Sequence, residues 1–231
     1  MNAKEIIKRI KNTKSIDAKK QLIKGLGKYA KGKTVQSFLL GLTENQNEEI
    51  RAAAVDSLLI NKKKVVKMKI VKHLEDINLV KVKCFEYIGY HKMSQFLPLL
   101  VSFLVDEDFW VRYYAVLNIG DMGDESYLEI VKQHLENEQN DVVRAGYFFT
   151  LFLLIDEEQE WRFYIRQLEN LLVNSQNNVA RFVTINFLID VATNIGTEQV
   201  EQLFKQCLLV ESDLENQETL KNGIRSVKYW R

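Results

Sequence analysis

The sequence predicts an all-α protein, an α-solenoid of about seven consecutive antiparallel helix pairs. Three observations predict it: a near absence of proline, an apolar stripe at helical spacing that recurs about every 31 residues, and polar capping residues just ahead of most recurrences. The chain has 231 residues, 46% of them apolar and 27% charged, which is ordinary for a globular protein and ample for a core. Its one proline is Pro98. Sheet-rich folds and long loops draw on proline and glycine for their turns, so their scarcity points to helices with short connections.

The stripe is anchored on Lys19, Arg51, Lys81, Arg112, Arg144 and Arg181, at spacings of 32, 30, 31, 32 and 37. One residue earlier stand Ala18, Ile50, Val80, Val111, Val143 and Ala180. Three residues later come Leu22, Ala54, Cys84, Ala115, Tyr147 and Thr184; four later, Ile23, Val55, Phe85, Val116, Phe148 and Ile185. Seven later stand Leu26, Leu58, Ile88, Ile119, Leu151 and Leu188. Positions −1, +3, +4 and +7 fall on one face of an α-helix, and Thr184 alone among them is not apolar. Glycine follows at +8 in three copies (Gly27, Gly89, Gly120), where a small residue lets a neighbouring helix approach or begins the helix end. The clusters Asn45-Gln46-Asn47, Asp106-Glu107-Asp108, Asn140-Asp141 and Asn177-Asn178 precede four of these helices. Their side chains can accept hydrogen bonds from the first free backbone amides, so they read as N-caps.

Between copies lies one further amphipathic segment, as at Thr34–Leu42, Gln95–Val105, Tyr127–Leu135 and Gln199–Leu208. Each repeat is therefore a helix pair, A then B. A single repeat domain over 1–231 is expected, divided near 1–30, 31–61, 62–92, 93–123, 124–155, 156–195 and 196–231. The sixth A helix is long, Glu157–Val173, and the last B helix, Leu214–Trp230, is weaker, as a terminal cap would be.

The run Asp108 to Ala115 (DFWVRYYA), with Gly120 and Gly123 after it, resembles the HEAT and HEAT-like pattern D-x-x-V-R-x-x-A-x-x-x-L-G-x-x-G with small slips in spacing. Glu49 to Ala54 and Asp141 to Arg144 match it in part. The short period is similar to that of bacterial phycobilin-lyase-type HEAT-like proteins. The resemblance implies a right-handed α-α superhelix with B helices lining a concave side. It also implies that the anchor Arg or Lys bonds across to acidic or backbone groups of neighbouring turns, a structural role. Architecture is what such a resemblance specifies; function must come from a site.

No catalytic residues are assigned. His73, His91 and His134 each lie in a different repeat, none within four residues of a cysteine or another histidine, so no metal site and no cofactor are expected. Nucleophile elbows, P-loops and dinucleotide-binding glycine motifs are absent. The carboxylate clusters sit in predicted inter-helix turns, where capping and solvation explain them. Cys84 and Cys207 form no paired motif, and Cys84 falls on the core stripe, which suits a buried free thiol. The alkylpurine DNA glycosylases, a repair family of HEAT-like repeats, resemble the chain in length, and Asp108, Trp110, Tyr113 and Tyr114 invite the comparison. The family's tandem-tryptophan segment is absent here, and these residues lie in an acidic half that repels phosphates.

That acidity is one side of a polarity hidden by the net charge of +1. Residues 1–92 carry 21 Lys/Arg against 9 Asp/Glu, and residues 93–231 carry 11 against 22. The basic half, dense in lysine around 4–33 and 62–72, reads as a solvated face; nucleic acid is the rival occupant. At about 100° per residue, +1, +2 and +5 lie opposite the core stripe. They read Lys20, Gln21, Lys24; Ala52, Ala53, Asp56; Val82, Lys83, Glu86; then Tyr113, Tyr114, Leu117; Ala145, Gly146, Phe149; Phe182, Val183, Asn186. The later triplets form an apolar, aromatic ridge. It reads as a binding surface at Tyr113, Tyr114, Leu117, Phe149, Phe182 and Val183, or else as core covered by curvature or by the sixth A helix. The expected function is a non-enzymatic protein- or peptide-binding scaffold with a basic partner, one version being an immunity or antitoxin-type binder. The alternative is nucleic-acid binding or glycosylase-like repair. No signal-type run and no apolar stretch of spanning length appears, so no membrane partner and a cytoplasmic location are expected.

Overall fold

The computed structural model describes residues 1–230, and over these the chain is helical with short connections and no strand. The A helices are α1 (Ala3–Asn12), α3 (Lys33–Leu42), α5 (Lys64–Val71), α7 (Leu97–Ser102), α9 (Leu128–Asn137), α11 (Glu158–Asn174) and α13 (Thr197–Leu208). The B helices are α2 (Ile16–Leu26), α4 (Glu48–Ser57), α6 (Asn78–Tyr90), α8 (Phe109–Met122), α10 (Asp141–Leu154), α12 (Asn178–Ile195) and α14 (Leu214–Tyr229). A and B thus alternate as the sequence predicts. One A helix departs from its expected form. Instead of running through Gln95–Val105, the fourth is a six-residue helix between two 3₁₀ turns, Ser94–Phe96 and Phe103–Val105. Pro98 lies in the first turn of α7, where its missing N–H costs nothing.

The chain forms two compact units, 1–118 and 119–230. In the first, B helices pack on one another in chain order, α2 on α4 and α4 on α6, while α1, α3 and α5 each pack on the B helix that follows. In the second, α10 packs on α12 and α12 on α14, with α11 and α13 packed on the B helices that flank them. The cores are the predicted stripes: every −1, +3, +4 and +7 residue is buried except Ala18 and Leu22 of the first repeat. The caps also form. Asn47 accepts the Ile50 amide at 3.0 Å, Asp108 the Trp110 amide at 2.7 Å, Asn140 the Val142 amide at 2.9 Å and Asn177 the Val179 amide at 2.9 Å.

The +8 glycines answer a specific need. A Cβ on Gly89 would lie 2.0 Å from Asn118 Oδ1, and one on Gly120 would lie 2.9 Å from Thr150 Oγ1. Gly27 sits against Ser57, whose hydroxyl donates to the Ile23 carbonyl of the previous B helix at 2.9 Å. In each case a polar residue six beyond the next anchor fits into the notch the glycine leaves. Close backbone approach is what sets the helix spacing there.

Candidate binding surface

Arg51, Lys81 and Arg181 reach acidic side chains of the next repeat. Arg51 sends Nη1 to the carbonyls of Asn45 (2.9 Å) and Gln46 (3.1 Å), in the turn before its own helix. Its Nε and Nη2 grip Asp76, one repeat on, at 2.9 and 2.6 Å. Arg181 repeats this, with Nη1 on Ser175 O (2.8 Å) and the other two nitrogens on Glu211 at 2.7 and 2.8 Å. Arg112 donates to the carbonyls of Asp106 (2.8 Å) and Glu107 (3.1 Å). Such three-way bonding needs the planar guanidinium fork, and the lysine anchor shows the difference. Lys81 reaches Asn78 Oδ1 at 3.2 Å, lies 3.8 Å from the Asp106 carboxylate and covers the Phe103 ring. Arg144 pairs with Asp141 at 3.5 Å and lies over Phe148. Lys19 is half-buried on α2. Burial opposes ionisation of Asp76, but Arg51, the Ile77 amide and His73 outweigh it and hold that carboxyl below its ordinary range. The Arg181 fork does the same to Glu211.

The predicted ridge residues separate by burial. In the first unit Tyr113 is only 7% exposed and belongs to the core, while Tyr114 and Leu117 are half-exposed. Tyr113 and Tyr114 meet edge to face at 5.3 Å, and Trp110, 36% exposed, adds an edge-on contact to Tyr113 at 5.6 Å. Trp110 and Tyr114 also line a cavity of about 330 Å³ with Leu79, Val82, Lys83 and the Asn78–Asp108 pair. Lys83, on its wall, donates to both oxygens of Glu86 at 2.8 Å and lies 5.8 Å over the Tyr114 ring. Burial raises the Glu86 carboxyl, against the pull of Lys83. Burial likewise raises the Tyr114 phenol. The result is an aromatic-walled recess with one internally neutralised ion pair.

In the second unit Phe149 and Phe182 are half-exposed, and Val183 is 7% exposed and buried. Phe149 stacks flat on Phe187 (4.3 Å, 9°) and lies 6.3 Å from Phe152, whose ring takes the edge of Trp161 from α11 at 5.3 Å. The long A helix therefore reaches Phe152, and its Tyr164 packs on the core residue Phe148. Phe163, on the same helix, is 52% exposed. Phe152 and Phe187 lie outside the predicted ridge because they fall at +8 and +6, between the core stripe and the outward triplet. Trp110, two before its anchor, lies outside it for a similar reason.

Among the described residues no group of three or more His, Cys, Asp or Glu is placed to hold a metal ion. Both cysteines are free and buried. No described helix is long and apolar enough to cross a membrane.

A family model described as HEAT repeats matches residues 69–148, which contain α6, α7, α8, α9 and the first half of α10. Among solved structures, the complex of CpcE and CpcF of phycocyanin lyase from Nostoc sp. PCC7120 aligns at a TM-score of 0.63 with 16% identity, over 98% of this chain and 95% of that one. Two engineered proteins align at lower TM-scores. One gives 0.40 at 13% identity, over 96% of this chain and 68% of its own; the other gives 0.38 at 15%, over 99% and 98%. Comparison with curated proteins finds no match. The HEAT-like resemblance read from the sequence is thus borne out, and the fold is an all-α array of HEAT-like repeats. That fold is compatible with a protein-binding role.

Proposed function

We propose that this chain is a non-enzymatic protein-binding module that holds an extended segment of a partner on the outward strip of its B helices. The observation that carries the reading is the recess walled by Trp110 and Tyr114, a pocket of side-chain size lined by aromatic residues that lie outside the core stripe. Aromatic side chains at the edge of a pocket are the commonest interface anchors. In the second unit, the half-exposed Phe149 and Phe182 offer a similar surface. The solved structure with the higher TM-score is a complex of two chains, which supports a protein partner. The excess of Asp and Glu after residue 92 favours a basic partner, steered by charge while the aromatic residues supply contact area. A basic toxin domain held by an immunity-type binder is one occupant of this kind.

The test is selection of displayed random peptides on the intact protein, followed by titration of the enriched peptides against Trp110→Ala, Tyr114→Ser and Phe149→Ala. Enriched sequences should carry Lys or Arg beside an apolar residue, and the substitutions should weaken them at least about tenfold while lowering the melting temperature by no more than about 4 °C. No enrichment, or enrichment indifferent to all three substitutions, rejects the reading. Tighter binding to a fluorescent DNA duplex than to any peptide, steeply salt-dependent, would put nucleic acid in its place.

A further inference from the structure

We infer that α5 and the turn before it form a docking surface for anionic lipid bilayers, one that shares no residue with the aromatic recess. Residues 61–74 hold six lysines and no acid. Sequence reasoning reads them as a solvated face, and the structure adds where the apolar residues among them point. Val66 and Ile70, the inward stripe of α5, are fully buried, and Leu74 just beyond the helix is nearly so. The outward stripe is Lys64, Val65, Met68 and Lys72, with Val65 54% and Met68 58% exposed. These two aliphatic tips project beside a shallow groove of about 750 Å³ that also takes in Leu40 and the open face of Gly41 on α3.

The cations stand around those tips. Lys64, Lys69 and Lys72 rim the groove, and the single acid on the rim, Glu44, is paired with Lys69. Lys63, in the turn that leads into α5, is exposed and reaches the Lys31 carbonyl at 3.3 Å. Burial is the main cause that lowers the pKa of His91, and Lys67 and Lys62 add to it, a secondary sign of positive charge around this segment.

Charge complementarity demands an anionic occupant, and the apolar centre selects among them. Nucleic acid is gripped by arginine forks and stacked rings, and residues 61–74 offer neither. A phosphate backbone gains nothing from Val65 and Met68. The boundary between headgroups and acyl chains does, because lysines can lie along the headgroups while aliphatic tips enter the hydrocarbon edge. Two aliphatic tips ringed by lysines draw on the same two forces as an interfacial basic helix, apolar insertion and attraction to anionic headgroups, and need no spanning segment. The expectation of no membrane partner rests on the lack of such a segment, and a peripheral contact revises it.

The experiment is co-sedimentation of the intact protein with vesicles of mixed phosphatidylglycerol and phosphatidylcholine, against vesicles of phosphatidylcholine alone. Binding is expected only to the mixed vesicles and should fall as salt rises. Lys64→Glu with Lys72→Glu should lower partitioning at least about tenfold. Met68→Asp alone should lower it several-fold with the melting temperature unchanged. The control pair Lys8→Glu with Lys11→Glu, equal in charge and placed on α1, should retain most of the binding. Any of four results overturns the inference. They are no binding to mixed vesicles, equal binding to neutral ones, equal loss in the control pair, or indifference to Met68→Asp. Lysine-dependent capture of a DNA duplex instead of vesicles would assign the patch to nucleic acid, and lysine-dependent self-association to a second copy of this chain.

Discussion

Alanine at position 89 should destabilise the protein, although helix propensity alone says the opposite. Gly89 lies inside α6, where glycine costs about 1 kcal/mol relative to alanine. With no neighbour in the way, Gly→Ala is therefore stabilising. Gly41 in α3 meets that condition, since nothing lies within 4 Å of an added Cβ, and Gly41→Ala should raise stability by about 0.5–1 kcal/mol. At Gly89 the new methyl would stand 2.0 Å from Asn118 Oδ1, 2.9 Å from its Cγ and 3.2 Å from its Cβ. Asn118 is 3% exposed, and its amide donates to the Tyr114 carbonyl at 2.7 Å. It can yield only by losing that bond, about 1 kcal/mol, or by pushing α8 off α6, an overpacking cost of about 1–3 kcal/mol. Set against the propensity gain, a net loss of about 1–3 kcal/mol remains. Urea denaturation followed by circular dichroism measures it, with an unchanged m-value confirming that the transition is the same. The double variant Gly89→Ala/Asn118→Ala should recover at least half the loss, because the obstructing atoms are gone. A Gly89→Ala protein as stable as the parent, or a loss that Asn118→Ala leaves untouched, would refute the packing account of the +8 glycine.

Asp76 and Glu211 have folded pKa values below their unfolded ones, so their contribution is complete above the unfolded value and is lost as pH falls through the folded one. The melting temperature should fall on acidification below about pH 5, and Arg51→Met should flatten that slope while lowering the plateau. Lys83→Met strands Glu86 in a half-buried site and should cost about 1–2 kcal/mol, whereas Lys83→Met/Glu86→Met should cost less than the single change; the reverse order in a denaturation series would contradict the pairing. Burial raises both thiols, so Cys84 and Cys207 should resist iodoacetamide in the native protein and react together on unfolding; mass spectrometry of timed samples reads this directly.

The core was legible because it obeys one period. Ile50, Ala54, Val55 and Leu58, like their counterparts in later repeats, are buried where 3.6 residues per turn puts them. Ala18 and Leu22 are the exceptions, and both lie on α2, whose B-helix neighbour is α4. Gln95–Val105 misled because apolar periodicity does not register where a helix stops, and Pro98 and the 3₁₀ turns decide that locally. The outward triplet was legible only in part. Two-faced arithmetic puts +1 opposite the core, yet Ala52, Val82, Tyr113 and Ala145 at +1 are all buried. A stacked B helix has three contacts to make, with its A partner and with a B helix on either side, as α4 does with α3, α2 and α6. What stays open is a narrow strip through +5, where Asp56, Glu86, Leu117, Phe149 and Asn186 are half-exposed.

That strip bears on how binding and folding can be separated in this chain. A residue with three packed neighbours cannot change without a stability cost, so selection for a partner can act freely only on +5 and on positions beside the recess. In the first unit these include Tyr114, Trp110 and Leu79, none of which is fully buried. Tyr113, one residue away, should behave as core, and Tyr113→Ser is expected to cost about 3 kcal/mol against about 1 for Tyr114→Ser. The lysines of α5 belong to a different strip and share no lining residue with the recess. Lys64→Glu/Lys72→Glu should therefore leave peptide binding at the recess intact, and Trp110→Ala should leave vesicle binding intact. Loss of both by either change would mean that the two faces report one shared unfolding event rather than two surfaces.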